Sequence, residues 1–195
     1  ADTFNDLVRS AIYGEKKHHA DSEVHVRTAD RMVATRGCRF LGMLSGDEFT
    51  VESIYEGELE MITGPANMPA IHLQKIRASI EENGAKYEFD TYIVNESLTK
   101  SRSNKDITRI LWVDYLIRMR KANNHATVYL AAETIGADAF FNALRSTFSY
   151  ARTCNKAQGG EWPVVIADAT EWQASNPKWG YTAATRARQR LIVLT

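Results

Sequence analysis

Two stretches near the C-terminal end carry side chains that could do chemistry. "TCNKAQGGEWPVVIAD" runs from Thr153 to Asp168, and "YTAATRARQRLIVLT" from Tyr181 to Thr195. In the first, a polar run holding Thr153, Asn155, Lys156, Gln158 and Glu161 leads directly into Pro163, Val164, Val165 and Ile166, an apolar run suited to a buried strand. Gly159 and Gly160 permit a tight backbone path between the two. In the second, Arg186, Arg188 and Arg190 precede the apolar run Leu191 to Leu194. In an open α/β sheet, ligands bind beyond the strand ends, where backbone amides and polar side chains are free. A polar loop set against a buried strand is tolerable at such an edge. From Tyr150 onward there are six Lys/Arg against three Asp/Glu, a local positive excess compatible with binding backbone phosphates. Plainer readings stand beside these. Arg186 and Arg190 are four residues apart and would share one solvated helix face. Gln158-Gly159-Gly160 also suits an ordinary flexible turn. Trp162, Trp172 and Trp179 suit packing more readily than base stacking.

The elements that must position these residues follow from periodicity. "ADTFNDLVRSAIYGE" predicts a helix, with Phe4, Leu7, Val8, Ala11 and Ile12 at the spacing of one buried face and Gly14 as its stop. The polar "EKKHHADSE" follows, and its His18 and His19 fit solvated loop histidines better than a metal site, having no partner cluster. From about Arg31 to Asn95 the texture is that of strands. "SGDE" and Asn83-Gly84 mark turns, and the short turn-marked strands predict a small β-barrel or curled sheet, with a plain hairpin array as the alternative. "SLTKSRSNKD" reads as a polar linker. "ITRILWVDYLIRMRKANN" predicts a helix with an apolar stripe of Ile107, Ile110, Leu111, Tyr115 and Met119. "GADAFFNALRST" predicts a shorter helix and "FSYART" a strand. "PVVIAD" predicts another strand, "YTAATRARQR" a helix and "LIVLT" a terminal strand. The two ends are α/β in pattern and the middle is β, which predicts an α/β domain at 1–30 and 105–195 with a β-rich module inserted at 31–104.

Composition bounds the class of protein. A chain of 195 residues with 44% hydrophobic and 25% charged residues can bury a core. Formal net charge is zero, so any nucleic-acid role must rest on a local patch. Cys38 and Cys154 form no CxxC pattern, which implies neither a disulfide framework nor a metal site and fits a reducing cytoplasm. No apolar run approaches the roughly 18 residues of a membrane span. The chain opens without Met, and we expect it to be a piece of a longer protein.

"NKAQGGEWPVVI" together with "YTAATRARQRLIVL" resembles motifs V and VI of superfamily 1 DNA helicases, in the order and spacing of their second RecA-like domain. The resemblance is greatest to the RecD-like and Dda-like branch, which includes the α subunit of exonuclease V. There the motifs read T-x-H-K-[SA]-Q-G and Y-V-A-x-T-R-[AG]-R. It is specific from Phe148 to Thr195 and looser elsewhere. "FNDLVRSAIYG" is similar to the segment after motif IV, and the β-rich middle to that branch's inserted SH3-like barrel. The implied fold is a RecA-like parallel sheet of the P-loop NTPase type, carrying an inserted small β-barrel.

The resemblance also implies roles. Arg186 would be the arginine finger, since a rigid, permanently charged guanidinium suits the charge developing on a transferring γ-phosphoryl group. Gln158, Gly159, Glu161 and Tyr181 would lie near ATP, with Glu161 toward the ribose hydroxyls. Thr153, Asn155 and Lys156 would hold phosphates of single-stranded DNA. Asn155 stands where the branch has His; it keeps hydrogen bonding but cannot carry charge.

No GxxxxGK[ST] occurs in the chain, and no apolar strand ends in an Asp-Glu pair. ATP and Mg²⁺ would therefore be held mainly by a first RecA-like domain outside this sequence, with the Mg²⁺ ligands there, and the chain by itself is expected to be inactive as an ATPase. Subunits of a nuclease–helicase complex are further implied partners. Within the class the alternative is a UvrD-like helicase of opposite polarity, whose insertion is helical. Outside it, the alternative is a non-catalytic nucleic-acid-binding or scaffold domain derived from a helicase.

Overall fold

In the computed structural model the described residues are 2–14, 25–64, 68–82, 84–99, 103–122, 127–169 and 177–194. His18, His19, Asn83 and Trp172 lie outside them. The chain divides into two compact units, Asn5–Tyr150 and Ala151–Thr195 together with Ala1–Phe4.

The larger unit is built on a five-stranded antiparallel sheet. Its strands are β1 (Arg31–Ala34), β2 (Glu48–Ile62), β3 (Ile71–Glu82), β4 (Ala85–Val94) and β5 (Ser146–Phe148), in the order β4-β3-β2-β1-β5. β2 is long and bent. Its register against β3 shifts between Val51 and Ser53 and again between Ile54 and Leu59, and Gly57 in that interval has φ +77°. Bulges of this kind increase local twist and curl a sheet. The curl brings the two edges together. Leu144, just ahead of β5, bridges Ile93 of β4, with Leu144 N–H donating to the Tyr92 carbonyl at 2.7 Å and Val94 N–H to the Leu144 carbonyl at 3.0 Å. The expected curled sheet is thus present, with its edge strands joined at one bridge, which leaves fewer backbone groups open for edge pairing. The turns fall where the glycines require them, with Gly46 at φ +103° before β2 and Gly84 at φ +77° between β3 and β4.

The core lies on the inner side of this sheet. Met32, Phe49, Val51, Ile76, Ile93, Leu98 and Leu144 form one cluster. Ile62, Ile71, Leu73 and Val94 form a second with Ile107, Ile110 and Leu111 of helix α3 (Asn104–Ala122). A four-residue helix α2 (Asn95–Leu98) precedes it. The stripe predicted for α3 is the one buried, except that Met119 is half-exposed. Helix α4 (Val128–Thr134) was not expected. The predicted helix over "GADAFFNALRST" is instead a 3₁₀ turn at Ile135–Ala137 followed by tight turns. Asp138 explains the change. Its Oδ1 accepts from Phe141 N–H at 2.7 Å, and its carboxylate takes a two-point bond from Arg118. A side chain that satisfies nearby backbone amides in this way competes with helix.

Helix α1 (Asp2–Tyr13) is present and ends at Gly14, with φ +69°, but its inward face differs from the one expected. Phe4, Leu7, Val8, Ala11 and Ile12 are exposed, and Asn5 and Arg9 are the buried pair, at 3% and 4% exposure. The cause is Asp30, which is wholly buried. Arg9 meets it through Nε–Oδ1 at 3.1 Å and Nη2–Oδ2 at 3.2 Å, and also donates to the His25 carbonyl. The Asp30 carboxylate accepts as well from Arg27 N–H at 2.7 Å and Tyr150 O–H at 2.9 Å. The Arg9 guanidinium lies over the Phe148 ring at 4.6 Å. This polar anchor outweighs the apolar stripe in setting which way the helix faces.

The smaller unit holds β6 (Trp162–Asp168), α5 (Pro177–Ala184) and β7 (Ala187–Leu194). β6 and β7 pair in parallel, from Trp162 opposite Ala187 to Asp168 opposite Leu194. Parallel neighbours need a crossover, which α5 lies within. The molecule is thus mixed α/β with a mostly antiparallel sheet, and among the described strands the parallel pairing is confined to β6 and β7. Two sequence expectations change here. The helix predicted over "YTAATRARQR" ends at Ala184, so Arg188 and Arg190 lie on β7 and not on a helix face. β6 and β7, expected to be buried, expose Val164, Ile166, Leu191, Val193 and Leu194. Parallel sheets are normally covered on both faces, and two strands cannot supply that cover for each other.

Candidate functional site

The polar loop begins at Thr153, whose carbonyl accepts from Lys156 N–H at 2.9 Å and Ala157 N–H at 3.1 Å. This closes a 3₁₀ turn over Cys154–Ala157. Such a turn points successive side chains outward, and Thr153, Asn155, Lys156 and Gln158 are all exposed. Gly159 then takes φ +87°, a conformation that L side chains rarely adopt. At Gly160 an added Cβ would lie 2.3 Å from the Trp162 ring, so the indole occupies the space a side chain would need. Trp162 N–H donates to the Arg186 carbonyl at 2.9 Å and sets the start of β6. The two adjacent glycines therefore do different things: one makes the turn and the other admits the ring.

Arg186 sits in the turn between α5 and β7, half-buried. Its guanidinium links the Gly160 end of the loop to the end of α5. Nη1 donates to the Gly160 carbonyl at 2.9 Å, Nε to the Thr182 carbonyl at 3.2 Å, and Nη2 to Thr185 Oγ1 at 3.0 Å. All three acceptors are neutral, so among the described residues the positive charge is oriented without being compensated. A cation held in this way suits an anionic group. Cys154 is close enough to register that charge. Burial pushes its thiol pKa up, and Arg186 opposes the rise. The Cys154 thiol also points to the Trp179 carbonyl at 3.5 Å, tying the loop to α5.

The structure brings Arg186 together with the Gly160 end of the loop. It also pairs Glu161 with Arg188 through Oε2 and Nε at 3.0 Å, in a solvent-exposed ion pair. Tyr181 is 72% exposed on α5. Thr153, Asn155 and Lys156 are displayed on the opposite end of the loop from Gly160, which separates the expected DNA-facing residues from the arginine along the chain. Sequence reasoning missed the cradle formed by Thr182 and Thr185. Its signal was present in the threonines four and one residues ahead of Arg186. What was lacking was the knowledge that the helix stops at Ala184, which turns the arginine back over them. Among the described residues there is no cluster of three or more His, Cys, Asp or Glu side chains, and no helix is long and apolar enough to cross a membrane.

A polar loop, a parallel β6–α5–β7 crossover and an oriented arginine make up this segment of a mixed α/β protein. Residues 148–194 match the family model of the UvrD-like helicase C-terminal domain. The match runs from the end of β5 through β7 and contains the whole of the site described above. It supports a superfamily 1 helicase C-terminal domain, and it does not separate the branches of that superfamily. No curated protein matches the chain.

Proposed function

We propose that the chain is the second motor domain of an ATP-dependent DNA helicase or translocase of the RecD-like branch, like the α subunit of exonuclease V. The carrying observation is Arg186, a permanently charged guanidinium fixed by three neutral acceptors within the segment that matches a helicase C-terminal domain. In this reading Arg186 is the arginine finger, and Gln158, Gly159, Glu161 and Tyr181 lie beside the nucleotide. Thr153, Asn155 and Lys156 hold phosphates of single-stranded DNA. Strands β1 to β4 of the curled sheet belong to the inserted barrel-like module at 31–104, with β5 added from outside it, and this β-rich character favours this branch over one with a helical insertion.

A first RecA-like domain would bring the phosphate-binding loop and the Mg²⁺ ligands, and ATP would be bound between the two domains. Arg186 exchanges neutral carbonyl partners for phosphate oxygens as ATP closes the domains, and its charge then stabilises the transition state. Closure and release move Lys156 and its neighbours along the strand. The exposed apolar faces of β6 and β7 support a partner layer, since parallel strands are seldom left bare.

The test compares Mg²⁺-dependent ATPase activity, stimulated by single-stranded DNA, in the isolated chain and in the longer protein that contains it. The isolated chain is expected to be inactive. The longer protein is expected to be active, and Arg186→Ala to lower its turnover by about a thousandfold or more. ATP hydrolysis by the isolated chain that is lost in Arg186→Ala would refute the division of labour. An inactive longer protein that still binds DNA would favour the helicase-derived scaffold.

A further inference from the structure

Away from the loop at residues 153–161, the larger unit contains two guanidiniums drawn onto one neutral oxygen. Arg36 Nη1 and Arg145 Nη1 both donate to Thr108 Oγ1, each at 2.6 Å. The two nitrogens are therefore at most twice that distance apart. Thr108 in turn donates to the Asn104 carbonyl at 2.6 Å, so its hydroxyl has used its one donor and both acceptor positions. Arg145 also donates to the Asn104 carbonyl at 3.2 Å. It is 2% exposed, and its Nε has no hydrogen-bond partner. Among the described residues no carboxylate pairs with either arginine. The neighbouring charge of Arg36 and, more strongly, burial push the Arg145 pKa down to about 9. Buried guanidiniums are normally paired, because an isolated buried charge is costly. Arg36 and Arg145 line a cleft of about 30 Å³ together with Gly37, Cys38, Phe141, Asn142 and Ala143. That volume is about twice the minimum for one water. It admits one or two oxygens of a tetrahedral anion and is too small for a sugar or a base.

We propose that Arg36 and Arg145, held close by their shared bond to Thr108 and both lining this cleft, form a binding site for a phosphate-type oxyanion. The anion would sit against both guanidiniums and supply the negative charge that the protein does not. Its phosphorus group is either free phosphate or a phosphodiester of a nucleic-acid backbone, since the cleft contacts only the oxygens. The site rests on residues of the loop after β1, α3 and the segment before β5, and is independent of the role given to Arg186.

The test is thermal unfolding of the 195-residue chain during titration with sodium phosphate, at ionic strength held constant with sodium chloride. Arg36→Ala and Arg145→Met are measured in parallel. Phosphate stabilises proteins generally by exclusion from their surface, so the informative component is the saturable one. We expect a saturating rise in Tm for the unaltered chain, lost in Arg145→Met. In Arg36→Ala the apparent affinity should weaken about tenfold or more, as expected for losing one charge-assisted hydrogen bond. Arg36 is exposed, so that variant alone decides the matter if Arg145→Met does not fold. A short oligothymidylate, followed by fluorescence anisotropy, separates the sources. Binding that Arg36→Ala weakens and phosphate displaces assigns a phosphodiester, whereas saturable phosphate binding without displacement assigns the free anion. A Tm rise that does not saturate, or that is equal in all chains that fold, together with oligonucleotide binding indifferent to Arg36→Ala, would overturn the proposal.

Discussion

Replacing Arg9 by Met should destabilise the larger unit far more than a helix-surface substitution would. Arg9 and Asp30 have side chains 5% and 0% exposed, and they meet through two N–H···O contacts. Removing one member of a buried ion pair costs about 3–5 kcal/mol, because the other charge is stranded. Asp30 would retain the Arg27 amide and the Tyr150 hydroxyl, two neutral donors that lessen the penalty, so the lower end of that range, about 3 kcal/mol, is expected. For a domain of this size 1 kcal/mol corresponds to roughly 2–4 °C in Tm, so the melting point should fall by about 6–12 °C. Urea unfolding followed by circular dichroism measures the loss directly. The physical cause is checked by the double variant Arg9→Met/Asp30→Asn. An amide keeps an acceptor for Arg27 N–H but has no charge to strand, so the pair should recover at least half of the loss. A single-variant loss below about 1 kcal/mol, the level of an exposed ion pair, would refute the stranded-charge reasoning. Strict additivity in the double variant would do the same.

Other perturbations test other levels. Glu52 accepts from Ser79 and pairs with Lys86, and these hold its carboxyl below the usual range. Its contribution is therefore fully present above the ordinary carboxylate pKa and is lost as pH falls through the lowered folded value. Acid unfolding of Glu52→Gln should be less steep in that window, and an unchanged slope would remove Glu52 from the account. Gly160→Ala places a methyl group against the Trp162 ring and should displace the indole, seen as a shift in tryptophan emission and weaker oligonucleotide binding; unaltered emission and binding would mean that the ring does not occupy that space. Lys156→Ala should weaken single-stranded DNA binding across all sequences and reduce the salt slope by about 1, and an unchanged slope would mean that Lys156 contacts no phosphate.

Much of the strand content was legible in the sequence because local signals agreed with the tertiary ones. Alternating apolar residues, Gly46 and Gly84 at turns, and the stripe along α3 each point to the element that forms. Failures occurred where a polar side chain overrode a pattern. Asp138 draws backbone amides into turns over a segment rich in helix formers. Asp30 decides the direction of α1 by demanding Arg9, against five apolar residues on the opposite side. No pattern of hydrophobicity contains that information, since it depends on an ion pair 21 residues apart in sequence. The loop was recognisable from its residues, and Arg186 was singled out with it. The acceptors of Arg186 were not, because they depend on where α5 stops.

The apolar faces left open bear on the same question from the energetic side. Val164 and Ile166 on β6, and Leu191, Val193 and Leu194 on β7, are side chains whose burial would each contribute about 1.5–3 kcal/mol. Leaving several exposed together is unfavourable in water, and such patches mark surfaces that meet another layer. Arg186, by contrast, is fixed within the unit by contacts it makes on its own. The geometry of the arginine is thus built locally, whereas the described residues leave these strand faces uncovered. If a covering layer is supplied by a longer protein, Val164→Lys and Ile166→Lys should disturb its folding while changing the isolated chain little. If they disturb both equally, these positions are already packed within the chain itself, and the case for a missing layer fails.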